Sequence, residues 1–188
     1  MNACGCAGDL GQKMIIGLKR GNTRLVPHQL GWCNAFMNEK ERLTGLLGNA
    51  IIQVEHIGST AIPQLAAKPI IDIAIGVQSL EVTLSWPAIL GREGYTYFGD
   101  RESRGDDFYA KGPEENRTIY LHVVPKDGLR WREYLFFRDA LRADDDLRKK
   151  YENLKMRLSV CHVSTRACYT SAKTELISEI LSQCPTNR

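Results

Sequence analysis

The chain has 188 residues, 43% of them hydrophobic and 25% charged, enough for one globular domain with a real core. Its formal net charge of +3 is too small to imply nucleic acid or a membrane surface as a partner. No apolar run approaches the roughly 18 residues that span a bilayer. The opening MNACGCAGDLGQK has no basic stretch followed by an apolar one, so it does not read as a secretory signal. It is small and Gly-rich, and residues 1–13 are expected to form a flexible tail. None of the cysteines at 4, 6, 33, 161, 168 and 184 forms a CxxC pair, so free thiols in a reducing cytoplasm are expected.

After the tail, Met14 to Leu18 and Thr23 to Val26 flank Lys-Arg-Gly-Asn and are expected to pair as strands. Pro27 suits the opening of a helix, and Leu30, Cys33, Phe36, Met37, Lys40, Leu43, Leu46 and Leu47 largely keep helical spacing. Gly48-Asn49 stops it. Ile51 to Ile57 and Ile70 to Val77 read as strands, the second so continuously apolar that both faces should be buried. Ser79 to Leu90 reads as a helix that Pro87 can split. Tyr95 to Phe98 and Asp107 to Lys111 form a hairpin around a charged turn, and Arg117 to Val124 is a last strand, stopped by Pro125. Helices follow over Arg130 to Ala143, from the Asp144-Asp145-Asp146 run onward, and from about Thr170 to Leu181. The expected architecture is α+β: a mixed central sheet of about five strands with flanking helices over 14–126, then C-terminal helices over 127–188, packed as a single compact unit.

One segment, EHIGSTAIPQLAAKPIIDIAIG, carries the chemistry. A strand ends in Gly58-Ser59, and Thr60 opens a short helical turn. Such a turn offers backbone N–H groups and hydroxyls to a phosphate. Asp72 is a lone carboxylate in an otherwise apolar strand, and burying it requires a partner, a metal or a cleft edge. A structural pair with Lys68 or an arginine and a metal site are both open. Strand alternation puts Ile70, Asp72 and Ala74 on one face, and Tyr120 and His122 on one face. If those strands are neighbours, Asp72 and His122 look into one cleft, where His122 is either an edge histidine or a catalytic one. His56 and Glu55 must point to opposite faces.

The run HIGSTAIPQLAAKPIIDIAIGV resembles the signature of the GrpB family, a group placed in the nucleotidyltransferase superfamily. RTIYLHVV, WREYLFFRDALR, YENLKMRL and YTSAKTELI resemble later blocks of the family in the same order, so the resemblance covers roughly Leu25 to Leu181. It implies a polymerase-beta-like core in which a Gly-Ser turn grips a triphosphate. Two alternating carboxylates on the next strand bind magnesium, and a third carboxylate on a neighbouring strand completes the site. Gly58 and Ser59 match the turn and Asp72 matches the first carboxylate. Ala74 stands where the second should be, and the third should lie near His122. Gln64 replaces the family's usual glycine, and Ile119-Tyr120 replaces a more His-like pair.

The resemblance therefore implies transfer of a nucleoside monophosphate from a nucleoside triphosphate to a hydroxyl of a small-molecule acceptor, with Mg2+ as cofactor. Aminoglycoside-like acceptors are one option, since the wider superfamily modifies such drugs and Glu102, Asp106, Asp107, Glu114 and Glu115 could meet a cation. The expected catalytic pair is Asp72 and His122. Gly58, Ser59, Thr60, Lys68, Arg104 and Arg117 are expected at the phosphates, with Arg101 and Lys111 as further cations. Asp72 is the expected metal ligand, with Glu55 or Glu133 able to supply a missing oxygen. The alternative is a nucleotide- or phosphate-binding module that has lost the chemistry with the second carboxylate.

Overall fold

A computed structural model describes residues 14–100, 105–160 and 166–185, with the backbone alone at 160 and 166–173. The expected tail at 1–13, and Arg101, Glu102 and Arg104, lie outside the described residues. The first helix, α1, runs over Gly31–Leu47 and hands on to the edge strand β1, Gln53–Ile57. A single turn of 3-10 helix at Ser59–Ala61 follows, and a loop then leads into β2, Ile71–Val77. Another 3-10 turn, Leu80–Thr83, precedes the short helix α2, Trp86–Gly91, so the region around Pro87 is split as the proline implies. Strands β3 (Tyr95–Asp100), β4 (Asp107–Lys111) and β5 (Ile119–Pro125) precede α3 (Leu129–Ala143), α4 (Asp145–Val160) and α5 (Arg166–Leu181).

The strands form one mixed, five-stranded sheet in the order β1-β2-β5-β4-β3, and the α+β class follows from it. β2 and β5 are parallel, and every other neighbouring pair is antiparallel. The central strands are the apolar ones because both of their faces are covered. Ile71, Ile73 and Ile75 of β2 pack with Leu121 and Val123 of β5 against Trp32, Phe36 and Leu43 of α1 and Trp86 and Leu90 near α2. On the other face Ala74 and Val124 meet Trp131, Tyr134 and Leu135 of α3. A second core joins Ile62 and Leu65, just after the Gly-Ser turn, to Leu141, Tyr151, Leu176 and Ile180 of the three C-terminal helices. The loop between β1 and β2 is thereby pressed against α4.

Two local expectations are corrected. Met14 to Leu18 and Thr23 to Val26 do not pair with each other. Leu18 bridges Arg117 and Val26 bridges Ala67, so each stretch is drawn to a different loop of the core. The helix expected from Pro27 begins at Gly31. The triple aspartate behaves as charge at a helix start should: Asp144 Oδ1 accepts the N–H groups of Asp146 and Leu147, each at 2.9 Å. Gln64 has a left-handed φ of 63°, the one such non-glycine among the described residues, at the position where the family pattern has glycine.

Candidate functional site

Gly58 and Asp72 meet directly. Gly58 leaves β1 with φ 67° and ψ −170°, a conformation open almost only to glycine. A Cβ added to Gly58 would stand 2.8 Å from both Cβ and Cγ of Asp72, and closer still to Oδ2. The turn is therefore glycine for two reasons, backbone angle and contact with the carboxylate. Ser59 and Asp72 line one cleft of about 370 Å3, together with Lys68 and Tyr120 from the sheet side. Tyr151, Lys155 and Leu158 close it from α4. Lys155 is a cation that strand and turn signals could not single out. It is 8% exposed, and its ammonium donates to the Ala66 carbonyl at 2.6 Å. In return Glu152 accepts the Ala66 N–H at 2.8 Å, so α4 is clamped to the loop that carries Lys68.

The register places Asp72 beside Tyr120 and Ala74 beside His122. Asp72 and His122 thus share the face covered in part by α3, as alternation requires, but one pair apart. What joins His122 is Asp106, a carboxylate placed just before β4 and 3% exposed. His122 Nδ1 lies 3.1 and 3.0 Å from its two oxygens. Tyr134 of α3 donates its hydroxyl to Asp106 Oδ2 at 2.5 Å and stands 3.0 Å from the same imidazole nitrogen. Asp100 positions Asp106 in turn, accepting the N–H groups of Gly105 at 2.9 Å and Asp106 at 3.1 Å. With Nδ1–H turned to a carboxylate, Nε2 is the ring's acceptor atom, the state a general base needs. Burial pulls the Asp106 carboxyl upward, but the hydrogen bonds from His122 and Tyr134 outweigh it and hold the group below its ordinary range. Burial and the Asp106 charge push the Tyr134 phenol well up, so it stays a donor.

Other candidates are employed elsewhere. Thr60 is 2% exposed, and its hydroxyl donates to the Ile70 carbonyl and meets His56 Nε2 at 3.0 Å, so it holds the turn together rather than facing a phosphate. Arg117 is 5% exposed and donates to the carbonyls of Gly112 and Ala110, a lock on the β4–β5 turn rather than a phosphate grip. Lys111 is bound to Glu39 of α1 at 2.9 Å, on the opposite face of the sheet. Glu55 does share the face of Ala74, but Arg138 of α3 takes it at 2.6 Å, and Glu133 pairs with Arg130 at 2.9 Å. His56, opposite Glu55, stacks on Phe36 of α1 with ring centroids 4.8 Å apart. The acidic residues do not gather at the cleft: Asp107 accepts from Tyr97, and Glu114 pairs with Arg20.

Comparison with known proteins bears on the family and the fold. The model of the GrpB protein family matches residues 22–183. The chain belongs to the GrpB family. Among similar proteins, the glutamate-rich protein GrpB of Alkalihalophilus pseudofirmus is 35% identical over 173 residues, which span 90% of this chain and 99% of that protein. The UPF0157 protein YqkA of Bacillus subtilis is 38% identical over 146 residues, 78% of this chain but 42% of that longer protein. The crystal structure of the conserved protein GrpB from Enterococcus faecalis superposes with a TM-score of 0.76 at 31% identity, covering 85% of this chain and 98% of that one. Among the described residues, no helix of this GrpB-family chain is long and apolar enough to cross a membrane.

The donor set also bears on magnesium. Among the described residues no three His, Cys, Asp or Glu side chains converge as a metal cage. Magnesium does not need one. It binds through one or two carboxylates plus substrate phosphates and keeps several waters. Asp72 at the cleft, beside an anion-type turn, fits a single ion arriving with a phosphorylated ligand. The fully buried Ala74, packed with Ile57, Val124 and Trp131, leaves no place for a second carboxylate on β2.

Proposed function

We propose that this GrpB-family protein transfers a nucleoside monophosphate from a nucleoside triphosphate to a hydroxyl group of a small molecule. The observation that carries this reading is the contact of the Gly58 backbone with the Asp72 carboxylate at the floor of a cleft walled by Lys68 and Lys155. Ser59 and the turn's N–H groups meet phosphate oxygens, and the lysines offset their charge. A magnesium ion on Asp72 would neutralise charge on the phosphate oxygens and fix their orientation. Arg104, outside the described residues, stays a candidate phosphate partner on the sequence alone.

In the transfer, the acceptor oxygen attacks the α-phosphorus and forms a new O–P bond. The bond from that phosphorus to the α,β-bridging oxygen breaks, and pyrophosphate leaves with the electron pair. The acceptor's proton passes to His122 Nε2. Asp106 and Tyr134 hold the ring in the accepting tautomer, and Asp106 stabilises the imidazolium that forms. His122 and its carboxylate thus take the role of the third carboxylate that the family pattern leads one to seek on β5.

The fully buried Ala74 favours a second reading, a protein that binds nucleotide without transfer. One assay separates the two: pyrophosphate release and product mass, followed over a panel of triphosphates and hydroxylated acceptors. Transfer predicts pyrophosphate from the wild type, and at least about a hundredfold loss in His122→Gln with nucleotide binding retained. Nucleotide binding with no pyrophosphate from any acceptor leaves the binding module. Equal rates in wild type and Asp72→Asn would rule out the site itself.

A further inference from the structure

The cleft extends beyond the groups that the phosphates use. Its walls there come from three stretches of chain that are tied to one another. The stretch before α1 pairs with the β1–β2 loop, where Val26 and Ala67 each donate a backbone N–H to the other's carbonyl at 2.9 Å. That loop is bonded to α4 through Glu152 and Lys155 at Ala66. α4 in turn meets the first stretch, where the Thr23 hydroxyl donates to the Ser159 carbonyl at 3.3 Å. Thr23, Leu25, Tyr151, Lys155, Leu158 and Ser159 all line the cavity. The four from α4 recur at helical spacing, so one face of that helix follows the cleft for about 12 Å.

This face has two different ends. At one, Tyr151 packs with Ile62 and Leu65, just past the Gly-Ser turn. The lysines come next, Lys155 on α4 and Lys68 on the loop after Ala67. At the far end Thr23 and Ser159 meet, beside the half-buried side chains of Leu25 and Leu158. Each hydroxyl there donates to a main-chain carbonyl, Thr23 to Ser159 and Ser159 to Met156 at 2.7 Å. The last turn of α4 also carries the partial negative charge of a helix C-terminus, which repels phosphate. An apolar side chain on each wall, at an end that disfavours anions, fits the uncharged part of a phosphorylated ligand. We infer that Leu25 and Leu158 bracket the nucleoside, and that this contact makes the cleft prefer nucleoside triphosphates to other triphosphate esters. The inference rests on the proposed seat of the phosphates at Gly58-Ser59 and the lysines.

The test is calorimetry of the full chain with the magnesium complexes of ATP, GTP, CTP and UTP, set against magnesium methyl triphosphate. The methyl ester carries the same charge and no nucleoside. At least one nucleotide should bind about 10-fold or more tightly than the ester, the scale of a few methylene-sized contacts. Leu25→Ala and Leu158→Ala should each weaken that nucleotide about 4- to 15-fold, one or two methylene groups lost from an apolar contact, and leave the ester within about 2-fold. Unchanged ester binding shows that the fold and the phosphate seat are intact. Leu25→Met keeps the apolar bulk and should retain most of the nucleotide affinity. Nucleotides that bind no more tightly than the ester overturn the inference and leave the phosphate seat standing. Leucine variants that change nothing, or that weaken both ligands alike, overturn it too. Binding of neither kind of ligand removes the nucleotide reading and the inference with it.

Discussion

Gly58, Asp72, His122 and Asp106 illustrate how differently single residues announce themselves. Asp72 is legible in the sequence as a carboxylate inside an apolar run, whereas Gly58 stands out only through the strand that follows it and the resemblance its segment carries. Asp106 is not legible. It sits among charges in a turn, and only the β4–β5 register brings it beside His122. His56 supplies a test at this scale. Burial, then the charges of Arg142 and Arg138, push its pKa down from 6.5 to about 3. Its folded pKa lies below its unfolded one, so the unfolded chain takes up a proton that the folded chain refuses. The linked stability is intact above pH 6.5 and is lost progressively as pH falls toward 3. Between pH 7 and pH 5 the loss is about 2 kcal/mol. Urea denaturation at the two pH values should show it in the wild type and show it reduced by that amount in His56→Gln. Asp106 acts in the same direction lower on the scale: its depressed carboxyl stabilises the fold above its ordinary value of 3.8, and that support fades as pH falls further.

Elements were legible where hydrophobic period decides them. The alternation and continuity of β1, β2 and β5 mark strands, and α1 and α3 carry apolar stripes. The stretches before α1 look like a hairpin in sequence, short apolar runs with a Gly-Asn between them, but do not form one. Leu18 and Val26 find better partners at Arg117 and Ala67, and local sequence carries no sign of contacts that distant. The loop between β1 and β2 is the element with visible strain. Gln64 keeps φ 63° while its amide oxygen accepts from Arg148 at 3.1 Å. A left-handed conformation costs a non-glycine residue about 1–2 kcal/mol, more than one exposed hydrogen bond returns. Gln64→Gly should therefore raise stability by about 1 kcal/mol, near 3 °C in a thermal melt for a chain of this size. A lower melting temperature would mean that the Arg148 contact, not the backbone, governs this loop.

At the scale of the whole molecule, the cleft exists because the C-terminal helices fold back onto the β1–β2 loop. Ile62 and Leu65 anchor them, and Lys155 and Glu152 clip α4 to Ala66. The helices are visible in the sequence, but their docking side is not, so Lys155 could not be placed at the site without the fold. Two basic residues with similar burial should then behave differently. Lys155→Met should weaken MgATP binding about 10-fold, the loss of one charge-assisted phosphate contact. Arg117→Met should lower stability and leave affinity unchanged, because among the described residues its guanidinium serves backbone carbonyls and the Phe98 ring. Equal effects on affinity would place the phosphates away from α4. The most direct measurement is calorimetric titration of MgATP and the other magnesium nucleoside triphosphates into the wild type and Asp72→Asn, with thermal melts of both. A cleft built from Gly58, Asp72 and the two lysines gives one-to-one binding of at least one nucleotide, weakened about 10-fold or more in Asp72→Asn at equal fold stability. Binding that ignores the substitution, or no binding of any of them, would contradict it.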